Sequence, residues 1–153
     1  MNRLEPGQLW VMRIHAAIFA GVALAAGLAA GFGFHEGFGT PVWLPAAVVL
    51  VLLSYPLLIA PGRHWRAWGY EKGDRELAVA HGVLRQVHTV VPYGRVQHID
   101  VAQGPIERSF GVTRLVLHTA GTAHSQVVLP GLRRETAEAL RDEIREYIRQ
   151  EPA

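Results

Sequence analysis

Residues 14–34 read IHAAIFAGVALAAGLAAGFGF, 21 positions without Asp, Glu, Lys or Arg. As a helix rising about 1.5 Å per residue, this run is roughly 31 Å long, the thickness of a bilayer's hydrocarbon core. Residues 42–60, VWLPAAVVLVLLSYPLLIA, give 19 more without a formal charge. A helix at home in water needs a polar face, and neither run has one. The sequence therefore predicts two transmembrane helices, about 14–34 and 42–60. Pro45 is tolerated in the first turn of the second, and Pro56 should bend its last turn. Trp43 lies at one rim, and Trp10, Trp65 and Trp68 near the other, as in an aromatic belt.

The connecting loop, residues 35–41 (HEGFGTP), contains no Lys or Arg, whereas Arg3, Arg13, Arg63 and Arg66 lie in the flanks. The positive-inside bias then puts both flanks in the cytoplasm and the loop outside. A cleaved signal peptide ending near Ala23-Leu24-Ala25 is the rival reading, but the first apolar run exceeds a usual signal core. In the first helix Ala17, Gly21, Ala25, Ala29 and Gly33 recur every four residues, and Gly27 and Gly31 form a GxxxG. Gly21, Ala25, Gly27 and Gly31 are candidate packing positions, within the hairpin or in a homodimer.

Only Arg3, Glu5, Arg13 and Glu36 are charged in the first 60 positions; the other 24 charges follow. This contrast divides the chain into a membrane anchor, 1–61, and a second domain, 62–153, that the bias makes cytoplasmic. The net charge of +2 is too small to argue for nucleic acid. Fourteen of the fifteen basic residues are Arg, a bias that GC-rich coding explains. The absence of cysteine excludes disulfides, thiolate metal sites and a Cys nucleophile.

Beyond Trp68 short runs alternate apolar and polar residues. Strands are expected near 68–72, 77–80, 83–91, 96–103, 112–119 and 125–130. Turn signals stand at His81-Gly82, Pro92, Gly104-Pro105 and Ala120-Gly121. Residues 106–111 read as a helical turn or loop. From about 133 to 150, Ala137, Leu140, Ile144, Tyr147 and Ile148 form one stripe of an amphipathic helix. The expected fold class is α+β: a two-helix transmembrane hairpin, then a curved antiparallel sheet plugged by the C-terminal helix.

Three segments carry a resemblance. They are PYGRVQHIDV (92–101), QGPIERSFG (103–111), and LVLHT (115–119) with Ala120-Gly121. Together they resemble the bacterial PH-like domain of the YdbS-like membrane proteins. The resemblance implies a strongly bent antiparallel sheet capped by the C-terminal helix, in a bacterial inner-membrane protein, whose termini the positive-inside bias makes cytoplasmic. It also implies a larger partner carrying several such domains, and it implies no catalysis. Lys72 and Arg75, interleaved with Glu71, Asp74 and Glu76, depart from the basic loop of inositide-binding PH domains.

Arg95, Gln97 and Arg108 are candidates for a recognition surface, since a guanidinium fork suits carboxylate or phosphate. The alternative is structural: Gln97 shares a strand face with Ile99 and Val101 and satisfies nearby backbone. Phe110 reads as a core or hinge aromatic, and Gly111 as a position needing positive φ. Of the eight histidines, His88, His98 and His118 could meet on one sheet face, but no helix metal-site spacing occurs. Ser109 beside Arg108 and Ser125 beside His124 are only neighbours in sequence, and no Walker A, GxGxxG or GxSxG motif is present. The expectation is no enzyme, no cofactor and no metal. Arg63, His64 and Arg66 should touch lipid headgroups. The leading role is a membrane-tethered interaction module contacting the bilayer and another membrane protein. The alternatives are a headgroup sensor using Arg95, Arg108 and the juxtamembrane arginines, or an accessory subunit of a membrane enzyme or transporter.

Overall fold

The computed structural model describes residues 1–120 and 126–150. The Ala120-Gly121 turn signal therefore lies partly, and His124 and Ser125 wholly, outside the described residues. The chain divides into two compact units, residues 12–63 and residues 1–11 with 64–153.

The first unit is built on α1 (Pro6–Phe38) and α2 (Leu44–Leu58). Pro6 opens α1, where its missing N–H costs nothing. Gly39, at φ 63°, closes it, its N–H donating to the His35 carbonyl at 2.9 Å. The 33-residue helix outruns the apolar stretch at both ends, because hydropathy marks the lipid-compatible part and not the caps. The second helix breaks at Ile59 and resumes as α3 (Ala60–Ala67). The break falls just beyond Pro56, which offers no N–H to Leu52, and just before Pro61, which offers none to Leu57.

Only 17% of the most apolar window of α1, and 11% of that of the Leu44–Ala67 span formed by α2 and α3, is buried, so neither is the core helix of a soluble domain. Phe19, Val22, Phe32, Val51 and Leu52 point outward and are largely exposed. Where the helices meet, the glycines decide the approach. A Cβ on Gly27 would lie 3.2 Å from Ala46 Cα, and one on Gly31 would collide with the Val42 backbone. Gly21 and Gly33 face open space, and Ala25 is exposed.

Among the described residues of the second unit, six strands form two three-stranded antiparallel sheets. The first contains β1 (Gly69–Lys72), β2 (Glu76–His81) and β3 (Val87–Pro92). The second contains β4 (Val96–Ala102), β5 (Thr113–Thr119) and β6 (Gln126–Leu132). The bend anticipated in the sheet is the single 3₁₀ turn Tyr93–Arg95 between β3 and β4, entered through Pro92, which cannot donate to a ladder. Residues 83–86, expected to begin the third strand, instead belong to the turn after Gly82. The φ of 105° at Gly82 is open to glycine and disfavoured for other residues.

Strand alternation sends Leu77, Val79, Leu115, Leu117 and Leu129 inward to a common core. Helix α5 (Arg134–Gln150) covers it with Ala137, Leu140 and Ile144, while Ile148 remains 36% exposed at the helix end. Tyr93 is fully buried at the bend, donates to the Gly73 carbonyl at 3.0 Å and meets Tyr147 edge-on at 5.5 Å.

Residues 1–11 complete this core. Asn2 bridges to Tyr70, exchanging hydrogen bonds of 2.6 and 2.9 Å, and thereby extends the first sheet. Two residues later Leu4 is buried, and the Glu5 N–H donates to the Gly131 carbonyl of β6 at 2.8 Å. Gly131 adopts φ 66°, and a Cβ there would come within 2.7 Å of Gln8. Trp65 donates to the Glu5 carbonyl at 3.1 Å and Trp68 stacks on His81, so both pack at the core margin.

Two outcomes follow for the purified protein in detergent. Gly31→Ala should lower the thermal midpoint of the helix hairpin, by the order of 1–3 kcal/mol that overpacking costs, whereas Gly21→Ala should leave it unchanged; circular dichroism melts separate the two. Burial, and then the charges of Glu143, Asp74 and Glu76, hold the Tyr93 phenol above its ordinary value. Burial and Glu5 raise Tyr70 likewise, against a lowering hydrogen bond from Asn2. A raised folded-state pKa means that this stability is present below about pH 10 and is lost as pH climbs through the folded value. Tyrosinate absorbance should therefore show a late-titrating fraction, smaller in Tyr93→Phe.

Candidate functional site

The candidate residues Arg95, Gln97 and Arg108 lie on the strand-rich unit. Arg95 ends the 3₁₀ turn and precedes β4; its carbonyl accepts from Ala120 N–H at 3.1 Å, and its side chain is exposed. Arg108 sits on α4 (Pro105–Ser109), beyond the other end of β4. Seven strand residues span about 20 Å, so the two arginines do not share one contact patch.

Gln97 departs from its expected face. The β4–β5 register slips between Val96 and His98, so Gln97 occupies a bulge and is exposed instead of lying beside inward Ile99. The strand alternation that placed it inward fails at the extra residue.

The segment around α4 is a folded corner. Gln103 Nε2 donates to the Val112 carbonyl at 2.9 Å. Glu107 is buried, accepts the Gly104 N–H at 2.6 Å and pairs with Arg114 at 3.2 Å. The Glu107 carbonyl accepts Val112 N–H at 3.0 Å, and Gly111 turns the chain at φ 65°. Phe110 is half-buried and stacks on Trp10 with centroids 6.4 Å apart. The one carboxylate buried here was missed from sequence; a Gly-Pro-x-Glu spacing, which is a capping geometry, was the available signal.

Among the histidines, His98 and His118 pair across β4 and β5, their rings 5.7 Å apart. Asp100 takes both, with one oxygen 2.8 Å from His98 Nε2 and the other 3.2 Å from His118 Nε2. His88 does not join them, because the chain changes sheet at the 3₁₀ turn and leaves it on β3. Among the described residues no group of three or more ligands is arranged to hold a metal ion.

Two features stand out on the described surface. In the first sheet β3 is an edge strand, paired only with β2 among the described residues. Beside it Leu84 is 99% exposed and Val90 51% exposed, large apolar side chains that gain nothing from water. By contrast, the lysine that enters the β1–β2 turn is already paired, since Lys72 Nζ donates to both Glu143 oxygens at 2.7 and 2.8 Å. Arg63, His64 and Arg66 lie along α3 and are exposed.

Two small antiparallel sheets closed by a C-terminal helix, preceded by apolar helices, define a PH-like domain carried by a membrane protein. The chain belongs to the bacterial PH domain family, whose model matches residues 14–148, helices included. It is similar to the UPF0699 transmembrane protein YdbS of Bacillus subtilis (strain 168), with 31% identity over 156 residues covering 97% of this chain and 92% of that protein. No solved structure matches it significantly.

Replacing Glu107 by Ala removes a helix cap and strands Arg114. The expected cost is about 2 kcal/mol, read as a lower denaturation midpoint, with Arg108→Ala unchanged.

Proposed function

We propose that this chain is a non-catalytic, membrane-tethered PH-like module that docks a second membrane protein at the cytoplasmic face of a bacterial inner membrane. The observation that carries this reading is the open β3 edge flanked by Leu84 and Val90. An edge strand offers unpaired backbone N–H and C=O groups, and an extended segment of a partner adds to it as a further strand. The flanking apolar side chains supply the burial that backbone pairing alone lacks. A larger relative with several copies of the domain is the partner that the family resemblance implies.

The orientation has its own support. Leu4 precedes the first apolar helix and Leu132 follows the second, yet both belong to one core. That common core supports a reading in which the two flanks share a compartment and the hairpin crosses the bilayer twice. The arginines of those flanks favour the inside for that compartment.

A photo-crosslinking residue at position 84 of the full chain, introduced in living cells at native expression, tests the docking surface. The expected result is a discrete adduct with another membrane protein, absent when the probe stands at Glu135 on α5. Equal labelling at both positions, no adduct, or an adduct only with a second copy of the chain would overturn it.

A further inference from the structure

The N-terminal segment, the end of α3 and the β2–β3 end of the first sheet surround a cleft of about 340 Å³. Its walls include Arg3, Arg66, His81 and His88, with Gln86 and Trp68 beside them. No Asp or Glu lines it. Among the described residues none of those two arginines and two histidines has an ion-pair partner.

We propose that this cleft is an anion site that takes a phosphate group, held by the guanidinium groups of Arg3 and Arg66 and the imidazoles of His81 and His88. Three segments far apart in sequence build it. The Asn2–Tyr70 bridge fixes the first segment, with its two hydrogen bonds of 2.6 and 2.9 Å. The second is anchored by Trp65 and Trp68 at the core margin. His81, in the third, is braced by the Trp68 ring, with centroids 4.8 Å apart. The walls are thus in place before a ligand arrives, which lowers the cost of binding.

The charge argument selects the ligand class. Two guanidinium forks facing one concavity, with no carboxylate to neutralise them, leave a positive potential that a bound anion relieves. Planar guanidinium forks match the oxygens of phosphate in pairs, and imidazole and amide N–H groups add single donors. The cleft lies at the opposite end of β1 and β2 from the β1–β2 turn, where Lys72 is already paired.

Two sources present this chemistry: the headgroup of an anionic phospholipid, and a soluble phosphate compound. Arg66 stands on the short helix that directly follows the second apolar one, which puts a lipid phosphate within the same stretch of chain. The cleft shares His88 with β3 but uses its imidazole and not the backbone edge, so either reading can fail alone.

The test uses the full chain in lipid nanodiscs with ¹⁵N-labelled histidine, the His81 and His88 signals being assigned through His81→Gln and His88→Gln. In one arm phosphatidylglycerol replaces phosphatidylcholine stepwise; in the other, phosphatidylcholine discs receive inorganic phosphate or, at equal ionic strength, chloride. The expected result is a saturable movement of both signals in at least one arm, with His98 and His118 unmoved as a check on folding. Arg3→Gln and Arg66→Gln should each weaken it about tenfold, the loss of a charge-assisted hydrogen bond. Arg63→Gln, outside the cleft, should weaken it by a clearly smaller factor. A response confined to the lipid arm assigns the headgroup, and one confined to added phosphate assigns a soluble ligand. No saturable movement in either arm, or an equal loss in Arg63→Gln, would overturn the site.

Discussion

The strand-rich unit depends on a strap made of its first residues. Asn2 pairs with the edge of the first sheet, Glu5 hydrogen-bonds to Gly131 at the end of the second, and Leu4 fills the core between them. Burying one leucine contributes roughly 2 kcal/mol, and each strap hydrogen bond about 1 kcal/mol more. Against the 5–15 kcal/mol that typically separates folded from unfolded, this is a substantial share. The core is therefore closed by residues that stand on the far side of two apolar helices in sequence. That constraint couples the fold to the proposed topology, in which the helices leave and return on one side of the lipid and the domain keeps its lid.

The same constraint clarifies the role of the family-like segments. Gln103, Glu107 and Gly111 are spent on folding the corner around α4, through a buried carboxylate, a side-chain amide bond and a positive φ. Val112, which follows that corner, is itself fully buried, and the first turn of α1 rests on it: a Cβ on Gly7 would approach Val112 to 2.8 Å. The segments that look most distinctive in sequence thus specify architecture. The surfaces proposed for a partner and a ligand lie elsewhere, on the β3 edge and in the cleft beside it.

Much of this fold was legible in the sequence because its signals are periodic. The two uncharged runs, the alternation of Leu115 with Leu117, and the Ala137–Leu140–Ile144 stripe each follow from a single repeat and a single apolar environment. What escaped has no period. Leu4 is one apolar residue among polar neighbours, and only tertiary packing gives it meaning. The bulge at Gln97 inserts one residue and reverses a face assignment. Trp65 and Trp68, beside an apolar helix, read as membrane-rim aromatics, and only tertiary packing shows their contacts with Glu5 and His81. The basic cleft joins three segments more than 60 positions apart from first to last, and neither arginine has a charged partner or a motif to mark it.

The chain has no cysteine, so single ones report topology without background. The measurement that bears most directly on the account is labelling of Asn2→Cys, Glu36→Cys and Gln126→Cys in intact cells by a membrane-impermeant maleimide. The account predicts that Glu36→Cys reacts from outside, while Asn2→Cys and Gln126→Cys both react only after the membrane is opened. Labelling that placed residues 2 and 126 on opposite sides would contradict it, because no strap could then reach its sheets.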